Sequence, residues 1–482
     1  MMNRLLTIAL AAVLALSMGA CDTIALDEVE PAQSISAEEA LSSLTGIEAL
    51  LVNMYDRLQG TGRYAQVYML YPDALADNVQ LVQGNSSNRY PGVVANARGT
   101  HMTAYGGPYS TINEANNIIA SIGDLEIEAP DPQAIRDRIR GEALFLRALS
   151  YFDLVRTHAY EPGREVGGFS QGVILRTEPT RGVEDADFRA RASNQQVYDQ
   201  VVADLNEAAG LLAGNSRDKF HANEAAAWGL LSRVHLYLEN WSDAETAATN
   251  ALNTTNAALV QDTGNGELLS AWLSSTHPES ILELQMTSGQ DGASTNSNGA
   301  LQALTIGDPE RRVFTYEVIP SVDLLNTHED GDARFDLYAN DNPSAPSEGQ
   351  LYMQKYTGTL GAFADRLPII RVAEIYLNRA EARAEQGNTS GAQSDLNAVR
   401  NARTLDDVTA TGDALIEAIL TERRLELAFE GHRFFDLKRR ARDIPKPQTA
   451  FEVLEYDDFR VLAPFPNSEV QSNPQLDQNP GY

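Results

Sequence analysis

Apolar residues recur every three to four positions through a series of long segments, the period of a helix that buries one face. Such segments cover about 40–58, 109–122, 133–156, 197–212, 223–252, 369–400 and 413–440. In the second, Ile112, Ala115, Ile118 and Ile119 form one stripe; in the third, Ile135, Ile139, Leu146, Leu149 and Phe152 do. Between these runs lie stretches rich in Gly, Ser, Asn and Pro, notably 84–107, 287–308 and 340–349, which read as loop or hairpin. Residues 281–284 and 314–318 are β-branched or aromatic and have the composition of small strands. The pattern predicts a mainly α protein with a few short β-strands and loop-rich insertions over about 60–107 and 260–365.

Within 223–252 one repeat unit stands out. Trp228, Leu231, Ser232, His235, Ala244, Ala248 and Ala251 fall at the spacing of a tetratricopeptide (TPR) unit. Small residues there let two antiparallel helices approach, and larger ones fill the groove between them. A weaker unit aligns Tyr376, Ala380, Ala392 and Leu396, with Arg379 and Arg383 in slots usually held by Leu and Tyr. The expected body is a single domain of TPR-like helix pairs over 37–482. Two visible repeats are few for a free solenoid, so others are masked by insertions or the helices pack into a compact body.

The first twenty residues carry no repeat. Arg4 supplies a positive start, residues 5–16 are apolar but too short to span a bilayer, and Gly19 and Ala20 lead to Cys21. This resembles a bacterial lipoprotein signal, with Met18 where Leu is usual, and predicts lipid on Cys21 after cleavage. Cys21 is the only cysteine, so a disulfide within one chain and a cysteine metal cluster are both excluded. Residues 21–36 are acidic without helical period and read as a tether.

Composition is otherwise ordinary, with 43% apolar and 22% charged residues, but the formal net charge is -30. A field of that sign disfavours nucleic acid and anionic headgroups as partners. Lysine occurs only at 219, 355, 438 and 446; the other basic residues are arginine. Excess acid with scarce lysine resembles proteins from salty habitats, and a solvated acidic surface at low salt is the alternative.

Few residues suggest chemistry. Glu422, Glu426 and Glu430 stand four apart, among Arg423, Arg424, Arg433, Lys438 and Arg439. One helix face pointing at its packing partner does not offer the paired carboxyls across a cleft that glycoside hydrolysis needs, so ion pairs to neighbouring helices are expected. The seven histidines are scattered without a His-Glu-x-x-His, which predicts no zinc site and no metal cofactor. Ser170 sits in a Gly-x-Ser-x-Gly match, 168–172, but lacks the strand before and helix after that a nucleophile elbow requires. His235 is expected in the core.

Four segments together resemble the SusD/RagB family. They are Gly141-Glu-Ala-Leu-Phe-Leu-Arg-Ala-Leu-Ser-Tyr-Phe-Asp-Leu-Val-Arg156, the repeat over 225–252, Arg371-Val-Ala-Glu-Ile-Tyr-Leu-Asn-Arg-Ala-Glu381, and Glu422-Arg-Arg-Leu-Glu-Leu-Ala-Phe-Glu-Gly-His-Arg-Phe-Phe-Asp-Leu-Lys-Arg439. The chain ends with Pro464-Phe-Pro-Asn-Ser-Glu469 and Gln478-Asn-Pro-Gly-Tyr482, also in family order, with Phe465 where Ile is more usual. The resemblance implies four TPR-like helix pairs, no enzymatic activity and no cofactor. It further implies a lipid-anchored outer-membrane protein that binds oligosaccharides and delivers them to a SusC-like TonB-dependent β-barrel. Peptide cargo, or a non-catalytic TPR scaffold for envelope assembly, are the competing readings.

A glycan site wants aromatic platforms beside amide, carboxylate or guanidinium groups. Asp77, Asn78, Asn88, Arg89 and Tyr90 have that mixture, and Trp272, Tyr316, Tyr338 and Tyr352 are further candidates in the second insertion. The same aromatics could instead pack the insertion's own core.

Overall fold

Asp131 opens the longest helix. Its side chain accepts from the Ala134 N–H at 3.0 Å, and Pro132 takes the first helical position, where no N–H is needed. Arg156 and His158 stand in the last turn, where positive charge suits the helix dipole. This helix, Pro132–His158, packs against Asn194–Leu212, whose start is a capping box of Ser193 and Gln196. A Cβ on Gly141 would lie 2.8 Å from the Leu212 side chain, so the glycine permits the close approach. The computed structural model describes residues 37–82, 89–98, 100, 102, 104–180, 182, 188–290, 299–306, 316–340 and 351–482; Cys21, the signal and the tether lie outside them.

The other long helices add to this pair in series. Leu44–Leu58 packs on Gly106–Ser121, which packs on Pro132–His158. On the far side, Asn194–Leu212 meets Glu224–Tyr237, which forms a hairpin with Trp241–Thr254. Buried Ala244, Ala247, Ala248 and Ala251 bring those two helices together, as the repeat pattern predicts. Trp241–Thr254 then packs on Val372–Glu385, which contacts both Thr389–Asn401 and Asp413–Glu426. The two arginines out of place in the second repeat have partners here. Arg379 pairs with Asp395 at 2.7 Å, and Arg383 pairs with Asp395 and with Glu245 of the preceding repeat, both at 2.8 Å. Ion pairs replace apolar packing at that junction.

The described strands form two-stranded antiparallel ribbons: Val79–Leu81 with Val318–Pro320, Ser280–Gln285 with Arg366–Arg371, Tyr338–Ala339 with Tyr352–Met353, and Ile444–Lys446 with Glu452–Leu454. The strand expected at 281–284 lies in the second ribbon. The one expected at 314–318 is Val318–Pro320 instead, with 311–315 outside the described residues.

Several elements differ from the periodic reading, beginning with 40–58, which is broken between the helices Ala37–Leu41 and Leu44–Leu58. Residues 369–371 are strand, and the helix begins at Val372; Pro368 has no N–H to give a helix and pairs at the ribbon opposite Glu283. The first insertion contains the helix Val67–Ala74. Residues 413–440 are not one helix: Asp413–Glu426 ends, and Arg433–Arg439 begins after a turn in which Phe429 has φ +64° and Gly431 φ +82°. The buried Asp73 carboxylate holds that turn, accepting from the Phe429 and Gly431 N–H groups at 3.0 and 3.2 Å.

Candidate functional site

The turn just described fixes the insertion to the scaffold. Asp77 follows helix Val67–Ala74 and is gripped by Arg433 through both oxygens, at 2.6 and 2.8 Å, and by Arg424 at 3.1 Å. Burial opposes ionisation of Asp77, but the two guanidiniums overcome it and hold the carboxyl below its ordinary range. Asn78 donates to Asp73 at 2.7 Å and accepts from Arg424 at 2.9 Å. Both side chains are buried, so their polar capacity joins the insertion to the scaffold and faces away from solvent.

The aromatic candidates also turn inward. Tyr316 and Tyr352 pack with Val82 and Ile319 in a small cluster of the insertion. Tyr338 is buried, its hydroxyl 3.2 Å from His328 Nε2. Trp272 is 1% exposed, edge-on to His277, with Lys355 and Arg371 cations 4.9 and 5.4 Å from its rings. Tyr90 is buried edge-on to Tyr71, and its hydroxyl accepts from the Gln66 amide. Large rings gain most from burial, and Tyr90, Tyr338 and Trp272 join Val67, Leu70, Val93, Leu284 and Leu337 of the insertions in the main core. These aromatics are therefore not platforms open to solvent in this structure. Asn88 lies outside the described residues. Of the candidates that are described, Arg89 alone is exposed; its Nε sits 2.8 Å from Glu317, next to the ribbon Val79–Leu81 with Val318–Pro320.

The acidic stripe is structural. Glu422, Glu426 and Glu430 are buried, and Glu430 belongs to the turn and not to the helix. Arg371 bridges Glu279, Glu426 and Glu430 at 2.7–3.0 Å, Arg403 joins Glu279 to Glu426 at 2.8 Å, and Lys355 reaches Glu430 at 2.7 Å. Glu422 pairs with Arg334 at 2.7 Å and Arg400 at 3.1 Å, so each of these carboxylates is committed to a cation and none is poised as an acid or base. Ser170 lies in irregular backbone, and His235 is buried, its imidazole pushed toward the neutral form by desolvation. No group of three His, Cys, Asp or Glu that could hold a metal is present among the described residues. No helix among them is long and apolar enough to cross a membrane.

A cleft of about 420 Å³ was missed by the sequence reading. It lies between helix Gly106–Ser121, the segment around Ile174 and Arg176, and the helix Asn467–Ser472, with Tyr105, Tyr109 and Phe188 among its lining residues. The only signal for it was Tyr105 and Tyr109, four apart around Gly106-Gly107-Pro108, and the loop that completes it is remote in sequence.

A series of stacked helix hairpins carrying a ribbon-and-loop insertion defines a helical-repeat protein of the SusD architecture. The SusD family pattern matches residues 336–482, and the family described as "Starch-binding associating with outer membrane" matches 26–236. The chain is SusD-like over most of its length, the two patterns between them matching residues 26–236 and 336–482. A SusD-like protein of Formosa agariphila is 27% identical over an alignment covering 100% of both chains. A SusD superfamily crystal structure from Bacteroides thetaiotaomicron is 27% identical, covering 91% of this chain and 100% of its own, with a TM-score of 0.77. A laminarin-binding SusD-like protein is 25% identical, covering 92% and 100%, with a TM-score of 0.71.

Proposed function

We propose that this protein captures oligosaccharides at the outer membrane, anchored by lipid on Cys21, and passes them without chemical change to a SusC-like TonB-dependent β-barrel. The observation that carries the glycan is the laminarin-binding neighbour, similar over nearly the whole chain in sequence and fold. The family description of association with the outer membrane agrees with the lipoprotein signal ending at Cys21. The binding face is the insertion around Asn88-Arg89-Tyr90. Arg89 makes the polar contact there, Tyr90 positions it from beneath, and Asp77, Asn78, Tyr316, Tyr338 and Tyr352 hold the face in shape; Trp272 supports the scaffold behind it.

The test is calorimetric titration of the full chain, in detergent, with laminarin oligosaccharides and with a peptide library. Saturable glycan binding without cleavage is expected, with at least a tenfold loss in Arg89→Ala, the size of effect that one charged hydrogen bond supports. Unchanged affinity in Arg89→Ala and Tyr90→Ala removes this face. Binding of peptides and of no glycan replaces the cargo. Isolation from native membranes with a large β-barrel tests the partner, and mass spectrometry of the mature N-terminus tests acylation.

A further inference from the structure

We propose that the cleft beside Tyr109 is a second sugar subsite, taking one or two neutral hexose rings apart from the Arg89 face. This rests on the glycan-binding reading above. The volume, about 420 Å³, falls within the roughly 300–1,000 Å³ of small-molecule sites. Buried Ile112 and Ile174 form the floor, and the half-buried rings of Tyr109 and Phe188 stand in its walls. Tyr105 backs Tyr109, with ring centroids 4.9 Å apart.

The walls are built in advance of any ligand. The Tyr109 hydroxyl donates to the Ile174 carbonyl at 2.8 Å. Asn113 donates to the Thr180 carbonyl at 3.2 Å and accepts from the Thr180 N–H at 2.7 Å. The Asn116 amide donates to the carbonyls of Arg176 and Glu178 at 3.2 and 3.1 Å. Three side chains of one helix thus pin the segment 174–180, and a ligand meets a wall whose ordering cost is already met.

Because those amides are turned to the wall, the interior offers mainly apolar and aromatic surface. Polar groups gather at the rim, where Glu469 and Ser472 are exposed and Ser110, which donates to the Gly106 carbonyl, keeps acceptor capacity. A flat apolar body edged by hydroxyl donors fits that distribution, and this is the chemistry of a pyranose ring. The one cation among the described lining residues, Arg176, is half-buried and donates to Thr180 Oγ1 at 3.3 Å, while the exposed Glu469 carboxylate and the formal charge of -30 disfavour an anionic ligand. A separate concavity of about 460 Å³, lined by Arg98, Pro464, Phe465 and Tyr482, lies beside it. Phe465 of that concavity stands edge-on to Tyr105 of the cleft, with centroids 5.4 Å apart, so the two rings form a shared partition.

The probe is laminaribiose, titrated calorimetrically into the full chain, with saturation-transfer NMR to record which sugar protons are held. The wild type is expected to take two disaccharides. Phe188→Ala and Glu469→Lys are each expected to remove one of them and to leave the other unchanged, and Arg89→Ala is expected to do the converse. Glu469 is exposed, so its variant reports even if Phe188→Ala folds poorly. One disaccharide per chain, lost in Arg89→Ala and untouched by either cleft variant, overturns the second subsite while glycan binding stands. An absence of binding to any glycan overturns both readings.

Discussion

Replacing Lys438 by methionine tests how the buried charges hold this fold. Lys438 and Glu161 are both fully buried, and the ammonium donates to Glu161 at 2.7 Å and to the carbonyls of Arg156 and Ala159 at 3.1 and 2.6 Å. Three donors meet three acceptors, so the ammonium is saturated. It fastens helix Arg433–Arg439 to the C-terminal end of helix Pro132–His158, two elements far apart in sequence. Lys438→Met keeps most of the volume but strands a carboxylate and two carbonyls. Removing one member of a buried pair costs about 3–5 kcal/mol. Replacing both members, in Lys438→Met/Glu161→Leu, removes the stranded charge and is expected to recover about 1–3 kcal/mol. Urea unfolding followed by far-UV circular dichroism reads the difference. With a slope of roughly 3 kcal/mol per molar urea, the single variant's midpoint falls by roughly 1–1.7 M, and the double variant's lies above it. A double variant at or below the single variant's midpoint would refute the argument, because the cost would then come from packing and not from the unpaired charge.

Asp365 gives a pH test. Burial pushes its carboxyl up to about 7, against the pull of backbone N–H groups and Arg366. The folded state therefore keeps a proton that the unfolded state loses above about pH 4. The stability this supplies is complete below about pH 4 and drains away as pH rises through 7, at up to about 1.4 kcal/mol per unit. Asp365→Asn is expected to flatten that part of the profile, and an unchanged slope in urea midpoints from pH 4 to 7 rejects the assignment. Gly431→Ala is expected to be among the most damaging single changes, since a Cβ would lie 1.8 Å from the Tyr68 carbonyl oxygen at a φ of +82°; soluble expression with an unshifted melting temperature contradicts it. Molar potassium chloride shortens the screening length to about 3 Å and is expected to raise the melting temperature of a chain carrying a formal charge of -30. No gain removes the comparison with proteins of salty habitats.

The helical frame was legible because each long helix shows the core one continuous stripe, and its period survives whatever the neighbours are. The hairpin of Glu224–Tyr237 and Trp241–Thr254 could be read directly from its alanines. The break after Glu426 could not. Leu425, Phe429 and Leu437 continue a plausible stripe, and what turns the chain is Asp73, more than three hundred residues earlier, accepting from Phe429 and Gly431. Gly431 was the one local hint, as a residue that enters the left-handed region without strain.

The candidate site divides in the same way. The sequence by itself determined the repeat scaffold, the family resemblance and the use of the acidic stripe in ion pairs, since periodicity and charge spacing are local properties of a chain. Only the tertiary structure decided that Tyr90, Trp272, Tyr316, Tyr338 and Tyr352 face inward and that Arg89 faces out. It also decided that Tyr109, Phe188 and Glu469 share a cleft. An aromatic ring serves a core and a sugar platform equally well, and its neighbours in space, not in sequence, determine which surface it covers.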